Sequence, residues 1–232
     1  MAARIYIREI RPSDAQATEM TRIQLESFTG QSVRLVFFPK GRETEHEEFA
    51  FRKGQIVRGA NDAQKHWVVA FSETTAPDGT AREEIIGYSL WIVPPVPGRE
   101  KSDEEKAAHW EIEANSRPDS MDKEANDDVG ARLGRVFREM LGEDPEDYWT
   151  LGALCVDPKH QRKGAATKMM RWGIEGAARQ DKGVVLSSPP QARPFYLAMG
   201  FEPQGEVRVG DEMHSGMKIR PPRDRSIRLG PS

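Results

Sequence analysis

The sequence predicts a mixed α/β fold, in which a sheet carries helices on its faces. Two observations lead there. Short apolar or alternating runs rich in β-branched and aromatic residues recur along the chain, separated by segments with apolar residues at helical spacing. Their order is strand, helices, strands, helix, strand, helix, strands, which is the order of a sheet covered on its faces rather than of a bundle or a sandwich. Length agrees: 232 residues, 37% of them hydrophobic and 31% charged, can bury a sizeable core without staples.

The elements follow in turn. "ARIYIREI" alternates apolar and charged side chains, with Ile5, Ile7 and Ile10 on one face, and reads as a strand. In "RPSDAQATEMTRIQLESF", Ser13 or Asp14 can cap a helix whose stripe runs through Ala17, Met20, Ile23 or Leu25, and Phe28. Residues 42–58, charged but carrying Phe49, Phe51, Ile56 and Val57, predict a second helix. "HWVVAFSE" and "EIIGYSLWIVP" flank the turn material "TTAPDGTARE" and form a hairpin. From Pro94 to Asp147 prolines and charges dominate. Two helical patches there, "DEEKAAHWEIEA" and "ARLGRVFREMLG", read as a helical insertion (94–147), since neither buries a core alone. "YWTLGALCV" is the next strand and "AATKMMRWGIEGAAR" a helix with Ala166, Met169, Met170, Gly173 and Ala177 on one face. "GVVLSS" is a buried strand and "ARPFYLAMG" a short helix closed by Gly200. "EPQGEVRV" and "HSGMKIR" close the sheet as a hairpin. One domain over 1–220 and a flexible tail over 221–232 are expected.

A net charge of -3 gives no reason to expect nucleic acid or an anionic membrane as partner, so any anion site must be local. One cysteine, Cys155, excludes an intrachain disulfide and points to a reducing compartment. The first residues lack an apolar signal core and no apolar run reaches about 20 residues, so a cytoplasmic protein is expected. His46, His66, His160 and His214 have no metal-ligand spacing with Cys or carboxylates, and no metal is expected.

Chemistry concentrates in "CVDPKHQRKGAATKMM", residues 155–170. Pro158 cannot join a sheet ladder, so the strand ends by Asp157, and a helix begins near Gly164. The first N–H groups of that helix lack partners, and the macrodipole places roughly +0.5 charge there, which makes an anion site. Gly164 admits close approach, Ala165 and Ala166 keep side chains clear, Thr167 offers a hydroxyl, and Arg162 and Lys163 bring positive charge to the rim. Neither G-x-x-x-x-G-K-[ST] nor G-x-G-x-x-G occurs, so the P-loop and dinucleotide readings lack their fingerprints.

"V-D-P-K-H-Q-R-K-G-A-A" resembles the acetyl-CoA-binding signature of the GNAT superfamily of N-acetyltransferases, through Val156, Pro158, Gln161, Gly164 and Ala166. "A-R-P-F-Y-L-A-M-G-F" is similar to that family's second motif through Ala192, Tyr196, Gly200 and Phe201. "IREIRPSDA" and "IIGYSLWIVP" also resemble the family, its fungal small-molecule-type members in particular, and the likeness runs from about residue 4 to 220. It implies a mostly antiparallel central sheet of six to seven strands with helices on both faces. It further implies direct transfer of acetyl from acetyl-CoA to an amine of a small molecule or peptide, by a monomer or homodimer.

On the resemblance, the pyrophosphate is held by the amides of residues 162–167 with Gln161, and the pantetheine arm pairs along Leu154, Cys155 and Val156. A backbone N–H at that strand end serves the oxyanion, and Tyr196 donates to the departing thiolate. Many members have Asn where this chain has Pro189, so the arm contact falls to Ser187 or Ser188. Glu111, Glu113, Asp147 and His109 are candidates for a base, with none singled out. The acceptor pocket is expected between the first two helices with their loop, the strand with Trp91, and the hairpin after Phe201, shaped by the insertion. Two alternatives stand beside this reading: a CoA-binding protein without transfer activity, and transfer of another acyl group or to oxygen. Cys155 as an acyl-carrying nucleophile is disfavoured, because direct transfer needs none and a lone buried cysteine usually fills space.

Overall fold

The computed structural model describes residues 3–76, 78–96 and 98–223. Seven strands form one sheet: β1 (Arg4–Ile10), β2 (Lys65–Thr75), β3 (Ala81–Ile92), β4 (Tyr148–Val156), β5 (Gly183–Ser188), β6 (Glu202–Val209) and β7 (Glu212–Ile219). Their order is β1-β2-β3-β4-β5-β7-β6. Every neighbouring pair is antiparallel except β4 and β5, which are parallel. The mixed, mostly antiparallel sheet expected from the sequence is therefore present, with helices on both faces.

Among the described residues the α-helices are α1 (Asp14–Ser27), α2 (Ser32–Phe37), α3 (Glu45–Gly59), α4 (Asp103–Asn115), α5 (Lys123–Leu141), α6 (Ala165–Arg179) and α7 (Arg193–Ala198). Helix α1 starts where Ser13 closes a capping box with Gln16, each side chain serving the other's backbone N–H. Helices α6 and α7 cover one face, where Met169, Met170 and Ala177 pack on Val68, Ile86, Trp91, Leu151 and Leu186. On the other face, α1 and α3 bring Ala17, Met20, Ile23 and Ile56 onto Trp67, Val69 and Tyr88. Beside them α5 packs Val129, Val136 and Met140 on Tyr148, Val185 and Val207.

Two differences from the sequence reading have physical causes. Helix α2 is a single short segment whose only buried residue is Arg34, held by Glu45 and Glu48, so its ordering is tertiary and leaves no apolar period to read. The expected insertion is of two kinds. Helix α4 has no buried residue, whereas α5 supplies part of the core. Helix α5 also starts at Lys123, capped by Asp122, eight residues before the patch that was legible. The expected tail lies, from residue 224 on, outside the described residues.

The contact between α6 and the sheet depends on Gly173. A Cβ there would stand 2.2 Å from the indole of Trp91, which is fully buried with its Nε1–H donated to Ser89 Oγ at 3.0 Å. Alanine improves helix propensity by about 1 kcal/mol, yet forcing extra volume into a packed core costs about 1–3 kcal/mol or more. The clash is severe and the indole is pinned, so packing decides the sign. Gly173→Ala is expected to lower the urea midpoint, and an unchanged midpoint would show that Trp91 yields at no cost.

Candidate active site

The centre of the sheet is where the chain opens a gap. Strands β4 and β5 pair only over Tyr148–Thr150 and Gly183–Val185. Just beyond, β4 carries a bulge: Trp91 lies opposite Leu151 and Leu90 opposite Ala153, so Gly152 is the extra residue. A bulge bends its strand and sharpens its twist, and from there β4 leaves β5 and follows β3 alone. The edge of β4 from Leu151 to Val156 therefore faces a wedge-shaped opening, with Ser187 and Ser188 across it at the end of β5.

Past β4 the backbone turns through the 3₁₀ segment Pro158–His160 to the start of α6. Asp157 is buried and fixes this turn. Its carboxylate accepts from the Lys159 N–H at 2.9 Å and from Arg22 Nη2 at 2.7 Å, while its own N–H donates to Ile86 O at 2.9 Å. Burial alone would raise the Asp157 pKa, but the Arg22 hydrogen bond and the Lys159 N–H outweigh it, so the carboxyl sits below its ordinary value. Gln161 Nε2 and Ser27 Oγ both donate to Val156 O, at 3.2 and 3.0 Å. Gln161 thus ties the loop to the strand end.

The loop then presents its backbone. Arg162 has φ 63° and Gly164, the N-cap of α6, has φ 87°, both in the left-handed region. Among the described residues, none of the N–H groups from 161 to 167 finds an acceptor, and the first bond of the helix is Lys168 N–H to Gly164 O at 3.1 Å. Successive unpaired N–H groups around a left-handed turn, added to a 15-residue helix's positive end, form an anion-binding concavity. No atom would lie within 4 Å of a Cβ on Gly164, so the space above it is open. Ala165 is buried, Ala166 and Thr167 are half-buried, and Arg162 and Lys163 are exposed at the rim. Lys163 Nζ donates back to Lys159 O at 3.0 Å.

Tyr196 on α7 is 6% exposed and packs edge-on against Phe195 and Phe201. Its hydroxyl has no hydrogen-bond partner among the described residues. Burial, and the nearby Cys155, push its pKa above the ordinary phenol value, so it is a proton donor at every working pH. Cys155, on β4, is buried and its thiol is pushed up to about 12 by that burial, which keeps it protonated. A thiol in this state is a poor nucleophile. On its far side lies the Tyr88 hydroxyl, from the residue opposite it on β3. Ser188 Oγ is committed to Pro189 O at 2.9 Å, while Ser187 Oγ is buried with no partner among the described residues. Of the two serines the sequence offered, Ser187 has the spare hydroxyl.

A cavity of about 500 Å³ reaches β4 at Gly152 and Ala153 from the side of α1 and α3. Strand β3 lines it through Tyr88 and Leu90, not through Trp91, which points to the opposite face. The hairpin after Phe201 does not line it, whereas α4 does through His109, Trp110 and Glu113, α5 through Asn126, and the segment between them through Met121. Of the candidate bases, Glu113 and His109 line the cavity, and Glu111 and Asp147 do not. Glu113 is bound by Arg58 at 2.9 Å and by Gln55; burial would raise its pKa, but the hydrogen bonds from Arg58 and Gln55 lower it overall, which makes it a weaker base than a free carboxylate. Sequence reading missed Tyr88 and Arg52 in this cavity. Alternation along β3 and the Glu48/Arg52 spacing on α3 were the only signals for them. Among the described residues no group of three or more His, Cys, Asp or Glu could hold a metal ion, and no helix is long and apolar enough to cross a membrane.

Comparison with known proteins agrees with this geometry. The family model of the acetyltransferase (GNAT) domain matches residues 125–203, from α5 to the start of β6. An acetyltransferase of Stachybotrys chartarum is 28% identical over 142 residues, 58% of this chain and 56% of that protein. The match thus spans little more than half the length of that relative. Two solved structures share the fold. One, from Corynebacterium glutamicum, is described as a histone acetyltransferase and related acetyltransferase; it has a TM-score of 0.57 at 16% identity, over 95% of this chain and 97% of that one. The other, a PaiA N-acetyltransferase of Thermoplasma acidophilum in complex with coenzyme A, has a TM-score of 0.52 at 12% identity, over 94% and 99%. Fold, family model and fungal relative together support membership of the GNAT superfamily, as the two sequence motifs implied.

Proposed function

We propose that this chain is an acetyl-CoA-dependent N-acetyltransferase that passes acetyl directly to an amine of a small molecule or peptide. The observation that carries the reading is the unpaired backbone from 161 to 167, which opens beside a gap in the sheet. The substrate supplies an activated thioester. The N–H groups of Arg162, Lys163, Gly164, Ala165, Ala166 and Thr167 hold its pyrophosphate, with Gln161 bracing the loop from behind. The free edge of β4 at Leu154, Cys155 and Val156 takes the pantetheine arm as an added strand, and Ser187, rather than Ser188, contributes a hydroxyl from the other wall. The amine nitrogen bonds to the thioester carbon, the carbon–sulfur bond breaks, and Tyr196 donates to the sulfur as charge develops there. A backbone N–H of β4 stabilises the oxyanion, and the ammonium proton leaves to solvent. The working unit is one domain over 1–220, in the cytoplasm.

The direct test is thermal. A ligand bound only by the native state raises stability by mass action, by about 2.7 kcal/mol at a hundredfold excess over Kd. Millimolar CoA is expected to raise the melting temperature by several degrees, and a thiol-release assay with acetyl-CoA and a panel of amines should show turnover. An unshifted melting curve would refute the binding site. A shift without turnover on any amine would leave a CoA-binding protein.

A further inference from the structure

Besides Lys65, whose ammonium offers only a point charge on a flexible stem, the cavity on the α1 and α3 side is lined by Arg52, a guanidinium fork with donors to spare. Glu113 is matched by Arg58 and Gln55, and Arg117 by Asp127 at 2.7 Å. Arg52 differs. Its Nε donates to Glu48 Oε1 at 2.7 Å, and its guanidinium carbon stands 5.6 Å from the centre of the Phe38 ring. Among the described residues, neither of its terminal nitrogens has an acceptor. Glu48 is fully buried, and its second oxygen receives Arg34 Nε at 2.8 Å. One carboxylate thus holds two guanidiniums in place, and the outer edge of Arg52, which lines the cavity, is left as a pair of donors.

The surroundings define what that pair would meet. Phe38, Phe51, Trp67 and Leu90 give the cavity apolar walls. About 500 Å³ suits a ligand the size of an amino acid or dipeptide. Arg52 shares the cavity lining with Tyr88 on β3 and with Gly152 and Ala153 on β4. It therefore sits close to the β4 edge where the acyl group must lie.

Resting on the acetyltransferase reading, we propose that the acceptor is an amine bearing a carboxylate and an apolar body, an amino acid or short peptide, whose carboxylate is bound by Arg52. A planar carboxylate matches the guanidinium fork, and charge-assisted pairs of this kind are the stronger hydrogen bonds. The carboxylate also places the nitrogen, because Arg52 fixes one end of a short molecule beside β4.

The experiment pairs apolar L-amino acids with their decarboxylated amines, phenylalanine with phenethylamine first among them. Turnover is followed by thiol release, and binding of the N-acetylated products to the CoA-saturated protein by calorimetry. In the wild type, the carboxylate member is expected to have at least a tenfold advantage in both readouts. Arg52→Gln should bring that ratio close to one. Arg52→Lys keeps a cation for Glu48, and so the fold, but loses the fork, and should leave an intermediate ratio. A wild-type ratio of one across the panel, or a ratio that survives both substitutions, overturns the proposal. If the binding preference holds and no amine is acetylated, recognition stands and the transferase reading falls.

Discussion

Tyr196→Phe is expected to lower kcat by about 10² to 10⁴, the range of a general acid's contribution, with little change in CoA affinity. The hydroxyl interacts with sulfur only as negative charge develops, so its loss falls on the transition state rather than on binding. The variant is unusually clean here. The ring keeps its edge contacts with Phe195 and Phe201, and the deleted hydroxyl has no partner among the described residues to leave behind. Stability should hardly move, so lost turnover could not be assigned to unfolding. Because burial raises the Tyr196 pKa above the ordinary phenol value, its donor form persists throughout the neutral range. The pH profile of the wild type should consequently show no fall assignable to this group below about pH 10. Wild-type kcat in the phenylalanine variant would assign thiolate departure to water or to Ser187.

Gly164→Asp should cost at least a hundredfold in CoA affinity, which is about 2.7 kcal/mol, while the protein still folds. Like charges brought together cost several kcal/mol, and the new carboxylate would stand where the loop's N–H groups converge. No protein atom lies within 4 Å of the added Cβ, so the substitution meets the ligand and not the fold. At φ 87° any non-glycine residue is strained, although aspartate tolerates this region better than most. Gly164→Ala provides the control, since it carries the strain without the charge. Equal losses in the two variants would locate the effect in the backbone. Undiminished affinity in the aspartate variant would move the pyrophosphate elsewhere.

The loop of unpaired N–H groups before α6 was legible because everything it needs is local. Pro158 ends a strand, Gly164 takes the left-handed turn, and small residues open the helix, all within ten positions. The start of α1 at Ser13 or Asp14 and the limits of β4, β5 and β6 were readable for the same reason. The cavity was not, because its walls meet only in three dimensions. Trp91 and Leu90 are neighbours in sequence, yet only Leu90 lines the cavity, and which face of β3 looks toward it is decided by the packing of α1 and α3. The α4–α5 segment was read as one insertion because its texture is uniformly polar. Only the sheet beneath α5 distinguishes Val129, Val136 and Met140 as core residues. The gap itself had no sequence signal beyond Gly152, whose bulge exists only relative to β3.

The short ladder between β4 and β5 has a mechanical meaning. Four strands on one side and three on the other meet through Tyr148–Thr150 and Gly183–Val185 alone, so the sheet is two plates joined at a seam. Local opening follows the weakest cooperative boundary in a structure. Here that boundary runs through the middle of the molecule rather than along its rim. A molecule wedged into the seam braces both plates at once. The amides along the inner edge of β4 should therefore be the ones whose hydrogen exchange slows most when the wedge is filled, more than those in the loop that grips its charged end.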